Sequence, residues 1–293
     1  MMELKEYLGM IAAEVEAELD RQLPEETGDA ARLAAAMRYS VFNGGKRLRP
    51  ALFCAALEVF GLPRDKYMQM AAGLEMIHCY SLIHDDLPAM DNDELRRGKP
   101  TCHIAFDEAT AILAGDGLLT LGAGMLCRSL PGVDATHQLA AAGVMLRGAD
   151  VMAKGQAAEL AAEEPDVSLL RRIYSGKTAG LFAAAVCGAG HLAAADEAQM
   201  KLLADYAEAL GLAFQIADDV LDVRGDIKDI GKANGSDARN EKTTYAALLG
   251  CDKALDEAKM LAKAAEEAAA CLPQKGGMLA AFPGFLVERA LRA

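Results

Sequence analysis

EAQMKLLADYAEALGLAFQIADDVLDV, residues Glu197–Val223, decides how this chain reads. Apolar residues return along it at three- and four-residue steps, the pattern of a helix with a buried face. Nothing in Leu210–Ala217 stops that helix, so Asp218, Asp219 and Asp222 close it. At about 100° per residue Asp222 falls within about 60° of both Asp218 and Asp219, so the three share one face. Helix physics alone disfavours such a cluster, because like charges four apart repel and a helix C-terminus repels anions. Ile216, Val220 and Leu221 around it point to burial, where crowded carboxylates call for a cation.

The same recurrence runs through nearly every other segment. Breaks fall at Leu23–Asp29, Asn43–Pro50, Gly61–Lys66, Pro88–Thr101, Pro131–Thr136, Glu163–Ser168, Arg224–Glu241 and Leu272–Gly277. Between them lie about ten helical stretches, Asp134–Glu163 being another long one, and no run of alternating strands. Ala and Leu abound while β-branched residues are scattered, which favours helix. The chain has 293 residues, 53% of them hydrophobic, with no low-complexity linker and no short repeat. The expected architecture is all-α: one domain over residues 1–293, a helical bundle whose distant motifs converge on one cavity between helices.

A second acidic cluster, DDLPAMD, spans Asp85–Asp91. Asp85 and Asp91 are six apart, roughly 120° out of phase on a helix. Pro88 removes a donor and bends or ends the helix. The spacing makes sense if the helix carrying Glu75–His84 ends at the site and a loop swings Asp91 back toward Asp85 and Asp86. Hard oxygen ligands suit Mg²⁺, which completes its shell with water and phosphate. Two such clusters facing one another would cage a Mg²⁺–diphosphate.

Two basic loops accompany them. In NDELRRGKPTCH, Asn92–His103, Arg96 and Arg97 offer planar forks for phosphate oxygens. In NGGKRLRP, Asn43–Pro50, two glycines let backbone approach an anion, with Lys46, Arg47 and Arg49 as donors. Two separate basic loops point to two phosphorylated substrates.

A net charge of −13 argues against nucleic acid or an anionic membrane as partner. Seven cysteines without a CxxC pair read as reduced core thiols in a cytoplasmic protein. Met1–Asp20 is amphipathic and acidic, unlike a signal peptide. No apolar stretch reaches the roughly 20 residues of a membrane span without a charge or glycine, so no span is expected.

The motifs resemble the trans-isoprenyl diphosphate synthase (polyprenyl synthetase) family, most closely its bacterial farnesyl diphosphate branch. The resemblance runs in order over nearly the whole chain: GGKRLRP (Gly44–Pro50), EMIHCYSLIHDDLPAMDNDELRRGKPTCH (Glu75–His103), AILAGDGLL (Ala111–Leu119), GQAAEL (Gly155–Leu160), KTAGL (Lys177–Leu181), FQIADDVLDV (Phe214–Val223) and GKANGSDARNEKTTYAALLG (Gly231–Gly250). It implies that Asp85, Asp86, Asp91, Asp218, Asp219 and Asp222 bind three Mg²⁺, replaceable by Mn²⁺, around an allylic diphosphate. It further implies that Arg96, Lys177, Lys232 and Lys242 grip that diphosphate. Lys46, Arg49, His78 and Arg97 would bind isopentenyl diphosphate, and Thr178 and Gln215 would line the reacting centre. The allylic substrates would be dimethylallyl and geranyl diphosphate, and the enzyme a cytoplasmic homodimer.

Product length would be set below Asp85. Tyr80 lies five residues earlier, about 7.5 Å along a helix. Within the resemblance an aromatic there is a floor that stops elongation near C15, and the small Ser81 leaves Tyr80 limiting. Longer or shorter synthases of the family are the alternative to a C15 enzyme. A terpene cyclase would need a different second metal motif and no Lys46–Arg49 loop. A non-catalytic partner subunit would have eroded aspartates, and here all six stand. His84–Asp85 also spells the HD dipeptide of metal phosphohydrolases, which need further His ligands. Asp116 is expected to cap or pack a helix, and Glu159 has no assigned role. One departure is the C-terminus, AAFPGFLVERALRA, where Pro283–Gly284 is expected to interrupt the helix and Arg289 or Arg292 would seal the site.

Overall fold

The computed structural model describes residues 2–224 and 243–291. Lys232, Lys242 and Arg292 therefore lie outside the described residues, as does the side chain of Arg289. The described residues are all-α apart from one very short hairpin, and the chain divides into two compact units.

The first unit holds Glu3–Ala51 and Asp65–Arg128. Helix α1 (Leu4–Gln22) buries Tyr7, Leu8, Ile11, Val15 and Leu19, a stripe at three- and four-residue steps. Burying side chains of this size contributes roughly 1.5–3 kcal/mol each. After α2 (Ala31–Val41) and the start of α3 (Leu48–Val59) comes α4 (Met68–Asp85), entered through a 3₁₀ turn at Arg64–Tyr67. Helix α4 is buried on all sides along Met70–Ile77 and is the unit's central rod. A hairpin follows, β1 (Leu95–Arg96) paired antiparallel to β2 (Lys99–Pro100). Arg97 and Gly98 at its turn both have positive φ, 55° and 78°, as a type I′ turn requires. The break expected over Pro88–Thr101 therefore contains a hairpin, with Arg at a turn position where Asn or Gly is usual. Helix α5 (Cys102–Ala105) leads to α6 (Glu108–Cys127), whose N-terminus is capped by Asp107 accepting from Thr110 N at 2.7 Å. Of the two roles expected for Asp116, capping or packing a helix, capping does not apply, because the residue lies in mid-helix.

The second unit holds Leu52–Arg64 and the described part of Ser129–Ala293. The two long helices expected from sequence are α7 (Ala135–Leu160) and α10 (Glu197–Arg224). Between them stand α8 (Val167–Tyr174), a π-helical turn at Ser175–Ala179 and α9 (Gly180–Leu192). The chain continues through α11 (Tyr245–Leu249), α12 (Cys251–Ala270), a 3₁₀ segment (Pro273–Ala281) and α13 (Phe282–Leu291). Leu170, Ile173, Leu212, Ile216, Val220 and Leu255 are among its core residues. Tyr206 is fully buried and donates to Leu279 O at 2.8 Å, joining α10 to the 3₁₀ segment. Pro283 does not interrupt a helix. It falls in the first turn of α13, where its missing N–H would have no helical partner. The break lies earlier, at Gln274–Gly277, where four successive residues have positive φ.

Candidate active site

The first acidic cluster sits where α4 stops, as its spacing requires. After Asp85 the chain turns, and Asp91 N–H returns to donate to Asp85 O at 2.8 Å. Asn92 follows with φ 51°. Asp86 and Asp91 are buried and Asp85 is half-buried. The hairpin carries Arg96 back onto Asp86, its Nε 2.8 Å from both carboxylate oxygens. Burial opposes the Arg96 charge, but hydrogen bonding and attraction to Asp86 outweigh it and raise the guanidinium pKa.

The basic loop divides its cations. Lys46 is exposed, whereas Arg47 points inward and its side chain has no solvent exposure. Arg47 sits at φ 48° and reaches Glu75 and Glu16, each at 3.0 Å, and Val41 O at 2.8 Å. It is a structural cation, and its expected place among the anion donors is corrected accordingly. Arg49 Nη1 lies 3.1 Å from His78 Nε2. A guanidinium only donates, so Nε2 accepts and the His78 proton sits on Nδ1, which is buried without a partner. Burial, then the charges of Arg49, Arg97, Arg96 and Arg47, hold the His78 pKa well below 6.5. Burial likewise lowers Arg49 to about 10, with Glu75 opposing and Arg97 adding, so it is cationic at neutral pH.

Gly44 and Gly45 have φ of 90° and 127°, and Arg97 fills the room they leave. It donates to Gly44 O, and a Cβ on Gly45 would fall 2.6 Å from its Nη1. A small open cleft lies here, with Asn43, Asp86, Arg96 and Arg97 on its walls. Asn43 Nδ2 donates to Arg96 O at 3.3 Å, while its buried Oδ1 has no partner. Below the acidic cluster Tyr80 is half-buried, and burial followed by the Asp85 charge raises its phenol pKa. Ser81 Oγ donates back to His78 O at 2.9 Å.

In the second unit Lys177 and Thr178 ride the π-helical turn, a geometry frequent at functional sites. Gly155 on α7 makes room for that turn, since a Cβ there would lie 2.3 Å from Lys177 N. One turn later Glu159 takes Lys177 Nζ at 2.6 Å, which supplies the role that sequence left open. Thr178 Oγ1 donates to Gln215 Oε1 at 2.7 Å, and Gln215 Nε2 donates to Asp219 Oδ1 at 3.3 Å. Asp219 Oδ2 also accepts from Tyr174 OH at 2.6 Å and Tyr245 N at 3.0 Å. Asp219 is thus turned to the core, 2% exposed, while Asp218 is exposed and Asp222 half-buried. Tyr174 went unnoticed in the sequence, as did Gln156, whose buried amide has no partner on either atom.

Among the described residues no three His, Cys, Asp or Glu side chains converge closely enough to hold an ion. The acidic donors are all carboxylate oxygens, in two groups. That set fits Mg²⁺, which takes one or two protein carboxylates and fills its octahedron with water and phosphate.

The family model for polyprenyl synthetase matches residues 30–276. The farnesyl diphosphate synthase of Haemophilus influenzae is 41% identical over 274 residues, covering 90% of this chain and 92% of that protein. That of Escherichia coli is 43% identical over 263 residues, covering 86% and 88%. A crystal structure of an FPP/GFPP synthase from Zymomonas mobilis superposes with a TM-score of 0.86 at 34% identity, covering 97% and 98%. The all-α isoprenoid synthase fold is common to this chain and that neighbour, and prenyl diphosphate synthases are generally Mg²⁺-dependent. The chain belongs to the polyprenyl synthetase family.

Proposed function

We propose that the protein condenses isopentenyl diphosphate with dimethylallyl and then geranyl diphosphate, making (2E,6E)-farnesyl diphosphate in a single domain over residues 1–293. The observation that carries this is local to the first unit. An acidic cluster able to hold metal and a basic loop able to hold a second anion share one wall, Arg96 lying on Asp86 and its neighbour Arg97 on Gly44. A hydrolase has no use for a second phosphate site.

Asp85, Asp86, Asp91, Asp218, Asp219 and Asp222 would be the Mg²⁺-binding aspartates, for three ions, with Mn²⁺ as a substitute. Bound Mg²⁺ would neutralise charge on the allylic diphosphate. Arg96, Lys177, Lys232 and Lys242 hold that diphosphate, and Lys46, Arg49, His78 and Arg97 hold the isopentenyl one. The allylic C1–O bond breaks and the diphosphate leaves with the electron pair. Thr178 and Gln215 present oxygens toward the allylic cation. The isopentenyl double bond then attacks C1, and a C2 proton passes to the departed diphosphate as the new double bond forms. Tyr80 closes the channel after C15.

The partner is a second copy of this chain, in the cytoplasm. Helix α6 is long and apolar enough to cross a membrane, with only part of it buried, and Ile112 and Leu113 stand exposed on it. A charge at its centre, Asp116, favours a protein partner over lipid. Incubation with labelled isopentenyl diphosphate, geranyl diphosphate and Mg²⁺ tests the activity. Labelled C15 is expected, with kcat lower by roughly 10²–10³ in Asp85→Asn. Failure to elongate would overturn the proposal.

A further inference from the structure

His84 stands directly before Asp85, outside the residues proposed to bind metal or substrate. The ring is held by α6 on one side. Its Nε2 lies 3.1 Å from Ile112 O. A carbonyl only accepts, so this nitrogen carries the proton. Asp116 Oδ1 lies 3.9 Å from the same atom. Gly115 provides the space, since a Cβ there would fall 2.1 Å from His84 Nε2. This accounts for a glycine in the middle of α6, where it weakens the helix relative to alanine.

On α4 itself the ring meets Tyr80, one turn back. Their centroids are 5.8 Å apart and the planes are at 80°, an edge-to-face pair. Residues four apart share a helix face, so the ring lies between Tyr80 and the helix end that carries Asp85. Tyr80 is only half-buried, so general packing does not lock its rotamer. His84 is itself anchored to a second helix, which makes it a fixed edge for Tyr80 to rest on.

We propose that His84 is a positioning residue for product length: anchored on Ile112 O in the space left by Gly115, it holds the Tyr80 ring across the alkyl channel. This rests on Tyr80 being the channel floor. An edge-to-face pair is worth about 0.5–1.5 kcal/mol. Its loss should therefore raise the C20-to-C15 product ratio roughly two- to twelvefold.

The test is chain-length analysis of products from geranyl diphosphate, excess isopentenyl diphosphate and Mg²⁺, for the native enzyme and for His84→Ala, Gly115→Ala and Tyr80→Ala. Expected is a large shift to C20 or longer in Tyr80→Ala and the smaller, same-direction shift in His84→Ala and Gly115→Ala, with KM for isopentenyl diphosphate held within about twofold. A merely structural loss would lower yield without moving the ratio. If Tyr80→Ala lengthens the product while His84→Ala stays at C15, the positioning role is overturned and the floor stands. If Tyr80→Ala stays at C15, the floor itself is overturned, and the role of His84 with it. Should His84→Ala not fold, His84→Gln, which still donates to Ile112 O but lacks the ring, is read the same way.

Discussion

Asp86 and Arg96, ten residues apart in sequence, form one buried fork in which Arg96 Nε lies 2.8 Å from both carboxylate oxygens. The side chains are 4% and 17% exposed. Removing one partner of a buried pair leaves the other charge uncompensated, at a cost of about 3–5 kcal/mol. Arg96→Ala should therefore lose that much stability in urea unfolding as well as affinity for the allylic diphosphate. A loss below about 1 kcal/mol would show the fork to behave like a surface pair.

Lys46 and Arg47 are neighbours with opposite duties. Arg47→Ala strands the buried Glu75 carboxylate and should destabilise by about 3–5 kcal/mol, with KM for isopentenyl diphosphate within about twofold in the folded fraction. Lys46→Ala should do the reverse, raising that KM about tenfold at nearly unchanged Tm. Steady-state kinetics beside thermal melts separate the two, and identical profiles would refute the division.

That division was not legible in GGKRLRP, where three cations look alike. What turns Arg47 inward is a positive φ and two acids, Glu16 and Glu75, about thirty residues away on other helices. The acidic clusters were legible because their spacing is a helix property: Asp85 and Asp91 needed a bend at Pro88, and the bend is there. Asp219 and Asp218 are adjacent, yet one faces the core and the other solvent, a difference set by Tyr174 and Tyr245 from distant segments. Helix α10 followed its apolar periodicity to within one residue, and α7 stopped three residues short of the expected Glu163. The π-helical turn under Lys177 and Thr178 has no such periodic signal, because it depends on α7 offering Gly155.

His78 makes stability pH-dependent. The unfolded chain takes up its proton near 6.5, and the folded chain, holding the ring neutral by burial and four nearby guanidiniums, does not. This contribution is intact above pH 6.5 and is lost as pH falls below it, by up to about 1.4 kcal/mol per pH unit. Urea midpoints at pH 7, 6 and 5 should fall more steeply for the native chain than for His78→Gln. Parallel slopes would contradict a depressed His78.

Gln156 is buried with both amide atoms unpaired, a cost to the fold that an apolar replacement of similar size removes. Gln156→Met should raise the unfolding free energy by about 1 kcal/mol while lowering kcat, as groups kept for function rather than stability do. Lower stability in the variant would mean that the amide has partners in solution.

The most direct measurement is the chain length of products formed from dimethylallyl diphosphate, excess labelled isopentenyl diphosphate and Mg²⁺, resolved by chromatography. The predicted result is C15 as the accumulating end product, with C10 as a passing intermediate and no turnover after chelation of the metal. Release of phosphate without elongation, or no reaction with any allylic primer, would contradict the proposed chemistry. Accumulation of C20 or longer would contradict Tyr80 as its floor.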